Sequence, residues 1–321
     1  MNMFINLRPN QVGAISALIA VFFFSINDGA IKFLSVGYAL HEVVLIRSVI
    51  GMLILLIMVA PLTDGFGIFR TKRLGLHLIR GFCVVMANMT FFLGLAAMPL
   101  ADAIAIFFIS PLIITVFSVI FLGEYVGPRR WAAVVVGLIG VVLMMRPGTA
   151  SFQYASLLPV FAATAYAGLH MMTRFIGRTD SAATMAFYIQ VVFIVVCLII
   201  GLAVGDGRFG DQSDPSLRFL LRAWEWPLLA DFPLFILVGF GVAMGGYFIS
   251  QAYRVAEASM VAPFEYLALP LSVLLGVVIF DEWPDAVSYL GMSLILGAGL
   301  FIVWRDSLVM ENPLQNPRVR R

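Results

Sequence analysis

Two stretches of the chain resemble each other: GFCVVMANMTF at residues 81–91 and GFGVAMGGYFI at residues 239–249. At a constant offset of 158 positions, the Gly, Phe, Val and Met at the first, second, fourth and sixth places are identical. The similarity continues into the next apolar segments, where Pro111 corresponds to Pro270 with one residue of slippage. Agreement over three successive segments predicts an internal duplication.

The composition predicts a membrane protein. The 321 residues are 62% hydrophobic and 12% charged, with a mean hydropathy of +1.01, whereas soluble domains are about one quarter charged. A soluble enzyme, a nucleic-acid-binding protein and a disordered chain are therefore excluded. About 20 apolar residues cross a bilayer as a helix. Ten apolar runs qualify, the fifth being short: 12–35, 40–60, 74–97, 99–122, 131–146, 155–177, 182–204, 233–253, 258–280 and 286–304.

The duplication assigns five runs to each copy, at 12–146 and 155–304, and leaves a tail at 305–321. Five is odd, so the second copy enters the membrane from the opposite face. The fold class is therefore predicted as all-α polytopic, with ten transmembrane helices in two inverted five-helix repeats. Secondary transporters have this architecture, with the substrate site near the midplane between the repeats.

The distribution of Lys and Arg predicts the orientation. Thirteen lie in the segments on the side of the N-terminus and four on the opposite side, so both termini and a disordered tail are expected in the cytoplasm. The longest external segment, 205–232, contains Trp224 and Trp226. An interfacial helix lying on the membrane and a simple loop are both open interpretations.

The fourth run ends in Leu-Gly-Glu at 122–124 before a basic turn, and the fifth is Gly-rich, VVVGLIGVVLMMRPG at 134–148. With the ten runs, these features resemble the EamA-type branch of the drug/metabolite transporter superfamily. The resemblance covers 12–305, and it is weaker in the second half, where Phe-Asp-Glu at 280–282 replaces Leu-Gly-Glu. PLADAIAIFFISPL at 99–112 is similar to the subgroup of riboflavin and S-adenosylmethionine uptake proteins. The resemblance implies a carrier of small organic metabolites in the bacterial inner membrane.

Ionisable residues inside a membrane are costly and are therefore candidates for function. Asp28 and Lys32 share a face of the first helix. Arg47 lies at a similar depth in the second. These charges are expected either to line an external vestibule or gate, or to neutralise each other as an Asp28–Arg47 pair.

Glu265 is the most specific candidate, because it lies between aromatic residues in VAPFEYLALPL. It is predicted to carry a coupling proton or to bind a substrate group. The alternative is a structural pair with Arg80, at similar depth in the third helix.

The other candidate residues are polar or aromatic side chains within the predicted spans. Each is open to a structural interpretation as an interhelical hydrogen bond or core contact. Tyrosines that point inward would suit a planar heterocycle. Prolines at matching places in the two halves are expected to act as hinges. Glu124 and Glu282 are expected to cap or lock helices. The substrate-binding candidates are Asn88, Tyr166, His170, Gln190, Tyr247 and Tyr266, and the hinge candidates are Pro111 and Pro270.

The predicted function is transport of a small metabolite by alternating access, with uptake of a heterocycle such as riboflavin or S-adenosylmethionine favoured. Export of amino acids or other metabolites is the alternative, and an intramembrane lipid enzyme is a distant one. A proton through Glu265 or the substrate gradient would drive transport. The sequence has no P-loop and no metal-ligand spacing. No enzyme activity, cofactor, metal or nucleic-acid partner is therefore predicted. The expected partners are the substrate and the lipid bilayer; a homodimer is left open.

Overall fold

The apolar runs form helices in the computed structural model, which describes residues 9–62, 65–123, 127–149, 153–176, 182–255 and 264–311. Every regular element in these ranges is helical. The α-helices are α1 (Pro9–Leu34), α2 (Leu40–Ile54), α3 (Leu74–Ala97), α4 (Leu100–Phe107), α5 (Ser110–Leu122), α6 (Pro128–Met145), α7 (Leu157–Ile176), α8 (Ala182–Val204), α9 (Pro215–Leu221), α10 (Phe232–Val255), α11 (Ala268–Phe280) and α12 (Ala286–Glu311). α2 continues as a π-helical turn, Leu55–Val59, and short 3₁₀ helices occupy Ala60–Leu62, Gly65–Phe69 and Tyr154–Ser156.

Helix length and hydropathy are those of a multi-pass membrane protein. Within the described residues, six helices are long and apolar enough to cross a membrane. Four more apolar helices are shorter, at Trp131–Met145, Tyr154–Leu169, Ala268–Phe280 and Ala286–Ile302. The predicted runs 74–97 and 182–204 coincide with α3 and α8.

The fourth predicted helix, 99–122, is not continuous. α4 ends at Phe107 and α5 begins at Ser110, immediately before Pro111. Proline has no amide proton and its ring clashes with the preceding turn, but it is tolerated in the first turn of a new helix. A similar interruption at Tyr266 and Leu267 precedes α11, whose first turn contains Pro270. The ninth predicted helix is thus also interrupted, and its segment 256–263 lies outside the described residues.

One further expectation is corrected, at the end of the last helix. α12 ends at Glu311 rather than at 304, so helix extends into the predicted tail; residues 312–321 lie outside the description. The segment 205–231 folds against the helices: Trp224 lies over Gly201, and only Trp226, 94% exposed, stands free in the manner expected of an interfacial anchor. The seven-residue α9 (Pro215–Leu221) packs on α3.

The helices of the two predicted repeats pack mainly against each other. α1 lies along α10, α3 contacts α7 and α8, and α6 packs on α12. Glycine allows the closest of these approaches. A Cβ atom at Gly140 of α6 would lie 2.9 Å from the carbonyl oxygen of Gly291 in α12. These two glycines therefore allow the α6 and α12 backbones to approach closely.

The outer surface is strongly apolar. Large hydrophobic side chains stand exposed along most of the helices, which no soluble monomer tolerates over such an area. Lipid chains are the natural environment for this surface. Exposed examples within helices include Phe22, Phe33, Ile57, Leu202 and Val278.

One end of the bundle is closed by polar contacts between the repeats. We call it the capped end; it consists of residues 35–39, 98–99, 205–231 and 281–285. Tyr38 donates a 2.6 Å hydrogen bond to the Asp231 carboxylate, and Arg222 donates to the carbonyl oxygen of Val36 at 2.6 Å. Ser216 donates to the carbonyl oxygen of Leu93 at 2.7 Å. These bonds fasten the segment 205–231 to the first repeat.

Lys32 and Glu282 form an ion pair at the capped end, which we call the latch. Lys32 Nζ lies 2.6 Å from Glu282 Oε1 and donates to the carbonyl oxygen of Met98 at 2.7 Å. The other carboxylate oxygen of Glu282 accepts a 2.9 Å hydrogen bond from the amide of Leu100, the first residue of α4. Glu282 therefore both caps α4 and joins the repeats, as expected of it. Glu124 lies outside the described residues.

Arg146 and Asp285 form a second contact between the repeats at the same end. The Arg146 guanidinium lowers the pKa of Asp285 from 3.8 to about 2. A carboxyl whose pKa is lower in the folded state contributes stability above its unfolded pKa and loses it as the pH falls toward the folded value.

We therefore expect Asp285→Asn to lower the melting temperature in detergent by the same small amount at pH 5 and pH 8, and by less at pH 3. The effect corresponds to about 0–1 kcal/mol, because the pair is partly exposed. Thermal unfolding at the three pH values measures this. A difference that changes between pH 5 and pH 8 would show that another group controls the contact.

Candidate functional site

An aromatic cluster links the two repeats beside the interrupted helices. Phe107 and Phe108, at the break between α4 and α5, have ring centroids 6.4 Å apart. Phe107 contacts Tyr166 of α7 at 5.3 Å, and Phe108 lies 5.0 Å from the Tyr266 ring. The break before Pro111 allows Phe107 to contact α7 and Phe108 to contact the segment before α11, both in the second predicted repeat.

Two charged side chains adjoin this cluster. The Glu265 carboxylate interacts electrostatically with the hydroxyl groups of both Tyr166 and Tyr266, and Arg80 of α3 interacts with Tyr166. Glu265, Tyr166 and Arg80 are half-buried, whereas Tyr266 is 4% exposed. We call these residues, with Phe107 and Phe108, the central site. It presents flat apolar faces together with one cation, one carboxylate and a phenolic hydroxyl.

The sequence singled out Glu265, Tyr166 and Tyr266, and the structure brings them together. Arg80, considered only as a structural partner of Glu265, interacts with the same tyrosine and so belongs to the site. Phe107 and Phe108 were not among the site candidates, since neighbouring phenylalanines are common in membrane helices. Their position four and three residues before Pro111 was the available signal.

Asp28, Arg47 and Gln190 form a separate polar group on α1, α2 and α8. Arg47 is 1% exposed, and its guanidinium lies 5.3 Å and 5.0 Å from the rings of Phe92 and Phe193. Asp28 accepts a 3.1 Å hydrogen bond from its neighbour Asn27 and interacts with Arg47 electrostatically.

Gln190 is buried on the same α2–α8 interface as Arg47. A Cβ atom at Gly51, one turn after Arg47, would lie 3.1 Å from the Gln190 Nε2 atom. The Nε and Nη2 atoms of Arg47 and the Oε1 atom of Gln190 have no hydrogen-bond partner among the described residues. Arg47 and Gln190 thus lie side by side in this interface.

The remaining candidates lie apart from the central site or make local bonds. Asn88 donates to the carbonyl oxygen of Val84 in its own helix at 3.2 Å. Tyr247 packs with the small cluster around Leu55 and Ile68, not with the other tyrosines. His170 is in α7, but its side chain lies outside the described residues.

The prolines lie on either side of the central site. Pro111 follows Phe108 by three residues, and Pro270 follows Tyr266 by four. Each therefore stands in the first turn of the helix that continues from the site. A hinge at these places would move the aromatic residues relative to the helices behind them.

The EamA-like transporter family matches residues 11–146. A riboflavin transporter from Vibrio cholerae is 32% identical over 94% of this chain and 95% of its own length. An S-adenosylmethionine uptake transporter from Rickettsia prowazekii is 27% identical over 90% of this chain and 91% of its own. The chain belongs to the EamA-like transporter family. It is a multi-pass membrane protein and a metabolite transporter, and both sequence predictions are confirmed.

A solved crystal structure has the same fold. It superposes with a TM-score of 0.63 over 92% of this chain and 98% of that chain, at 19% sequence identity. The helical arrangement is therefore shared at low sequence similarity.

Proposed function

We propose that the chain is an alternating-access carrier that takes up a planar heterocyclic metabolite across the bacterial inner membrane. Ten membrane helices, as two inverted repeats at 12–146 and 155–304, would form it. Both termini would lie in the cytoplasm and the capped end would face outward. Two observations support this orientation. Most Lys and Arg residues lie in segments on the side of the N-terminus, and the four segments of the capped end, which the sequence places on the opposite side, lie together at one end of the bundle.

The observation that carries the proposal is the central site. It lies where the repeats meet, beside two helices that are interrupted within the apolar region, and transporter substrate sites commonly have this setting. Phe107 and Tyr166 offer ring faces, which stack well on flat aromatic ligands. Arg80 and Glu265 offer a cation and an anion, which suit polar groups on opposite edges of such a ligand.

The names of the relatives support the same substrate class. Riboflavin and S-adenosylmethionine both contain a flat heterocycle with polar substituents, so a site of aromatic faces and fixed charges suits either one. Riboflavin is the first substrate to test, because the relative named for it is more similar along the whole chain.

Uptake into proteoliposomes tests this function. Purified protein is expected to transport labelled riboflavin down its gradient, and unlabelled riboflavin is expected to compete. Tyr166→Leu should lower the rate by about tenfold, because the loss of a stacked ring costs ~0.5–1.5 kcal/mol together with its buried area. Tyr154→Leu, at an exposed tyrosine remote from the site, is the matched control.

Failure of both riboflavin and S-adenosylmethionine to be transported or to compete would reject this substrate class. Labelling of a cysteine at residue 315 from the outside of intact cells would reject the orientation. Flux that runs only outward in cells that make the substrate would favour the exporter alternative.

A further inference from the structure

The ring of Tyr266 occupies a space that α12 provides only because residue 299 is glycine. A Cβ atom at Gly299 would overlap the Oη and Cζ atoms of this ring, and the third-nearest atom, Cε1, would be 3.0 Å away. All three neighbours belong to Tyr266. The structure thus gives Gly299 a specific contact with this ring.

The other side of the Tyr266 ring is also occupied. Phe108 lies against it with centroids 5.0 Å apart and an interplanar angle of 35°. The Oη atom of Tyr266 has no hydrogen-bond partner among the described residues. Phe108 and Gly299 thus enclose the ring, and no hydrogen bond from a described residue fixes its position.

Tyr266 directly follows Glu265, and the Glu265 carboxylate interacts with the hydroxyl groups of both Tyr166 and Tyr266. A displaced Tyr266 ring cannot enter α12, and we expect it to move away from that helix into the cluster that contains Phe108 and Glu265. That movement reduces the space in front of the charged group. The width of the central site is therefore linked to the size of the residue at 299.

We propose that Gly299 is a positioning residue of the transport site: it keeps Tyr266 recessed into α12 and so sets the size of ring that the site accepts. The inference rests on the proposed function in one respect, that Glu265 and Tyr166 contact the substrate. Even one methyl group at residue 299 is expected to narrow the site. The methyl group meets the outer end of a side chain and not backbone, so Tyr266 moves while α12 stays folded.

The test compares Gly299→Ala with Gly297→Ala in riboflavin uptake by proteoliposomes. Gly297 is two residues away on the same helix, and a Cβ atom there has no neighbour within 4 Å, so it is a matched control. Gly299→Ala is expected to raise the KM by about tenfold with a smaller change in maximal rate, since binding is weakened and the remaining cycle is not. Gly297→Ala should leave the KM unchanged.

A second background separates the positioning role from a merely structural one. Tyr266→Ala removes the ring that Gly299 accommodates, so adding Gly299→Ala to Tyr266→Ala should change the KM by less than about twofold. An equal rise in KM in both backgrounds, or an equal rise with Gly297→Ala, would overturn the inference. An unchanged KM in Gly299→Ala would do the same.

A readout without substrate separates this inference from the proposed function. Glu265→Cys in a chain with Cys83→Ser and Cys197→Ser is labelled with a water-soluble methanethiosulfonate reagent. Gly299→Ala should slow this reaction about fivefold or more, because the displaced ring covers residue 265, and Gly297→Ala should not. A thiol that does not react, or that reacts equally in both variants, overturns the positioning role. If wild-type protein transports no riboflavin but this labelling difference is found, only the proposed substrate is wrong.

Discussion

Replacing Glu265 by Gln is expected to lower riboflavin flux in proteoliposomes by about 10- to 100-fold, since a hydrogen bond to a charged group contributes ~1.5–3 kcal/mol. The carboxylate interacts with two tyrosines in the central site. Gln keeps the size of the side chain and removes its charge and its ability to bind a proton. The flux that remains should therefore not vary with pH over the range in which the wild type does.

Initial rates of riboflavin uptake, measured at several pH values with equal amounts of reconstituted protein, test this prediction. Glu225→Gln is the control, because Glu225 is an exposed carboxylate in the segment 205–231. Undiminished flux with a wild-type pH profile in Glu265→Gln would remove Glu265 from the mechanism. A reduced flux that keeps the wild-type pH profile would assign Glu265 to substrate binding and the coupling proton to another group.

Replacing Lys32 by Met is expected to open the capped end. The latch side chains of Lys32 and Glu282 are 11% and 25% exposed, and they join α1, the start of α4 and the segment before α12. Breaking a shielded ion pair leaves the remaining charge without its partner, which costs more than an exposed pair does. If loss of the latch shifts the equilibrium between the closed and open forms by ~1.4 kcal/mol, the open form becomes about tenfold more populated.

A cysteine at Ala101 reports this change, since Ala101 is buried in α4 next to Leu100. In a chain with Cys83→Ser and Cys197→Ser, its reaction with a membrane-impermeant thiol reagent should become about tenfold faster in Lys32→Met. Arg208→Gln is the control. It breaks the ion pair between Arg208 and Asp206, whose side chains are 59% and 58% exposed. Both residues belong to the segment 205–231. This substitution should leave the rate unchanged. Equal rates in Lys32→Met and the parent chain would mean that the latch does not hold this end closed.

The helix pattern of the fold could be predicted from the sequence because apolar run length dominates it. α3 and α8 begin and end at the predicted residues. The breaks before Pro111 and near Pro270 were only partly foreseen, because proline within an apolar run can kink a helix or restart it, and tertiary contacts decide between the two. The helix is interrupted before Pro111, where Phe107 contacts Tyr166 and Phe108 contacts Tyr266.

The site was predicted less well than the helices. Glu265, Tyr166 and Tyr266 could be identified because a charge or a hydroxyl inside a membrane run is conspicuous. Their mutual proximity, and the proposed role of Gly299, depend on how α7, α11 and α12 pack against α4, which helical periodicity does not specify. Lys32 was grouped with Asp28 by spacing along α1, yet it pairs with Glu282, 250 residues later.

The segment 205–231 is inserted in the second repeat, between α8 and α10, yet it bonds to the first through Leu93, Val36 and Tyr38. In the alternating-access cycle proposed above, we expect this segment to move with the first predicted repeat, and we expect the bending to occur at its ends, near Gly205 and before Phe232. A fluorophore attached to α9 would accordingly track the motion of the N-terminal repeat, although the peptide chain assigns it to the C-terminal one.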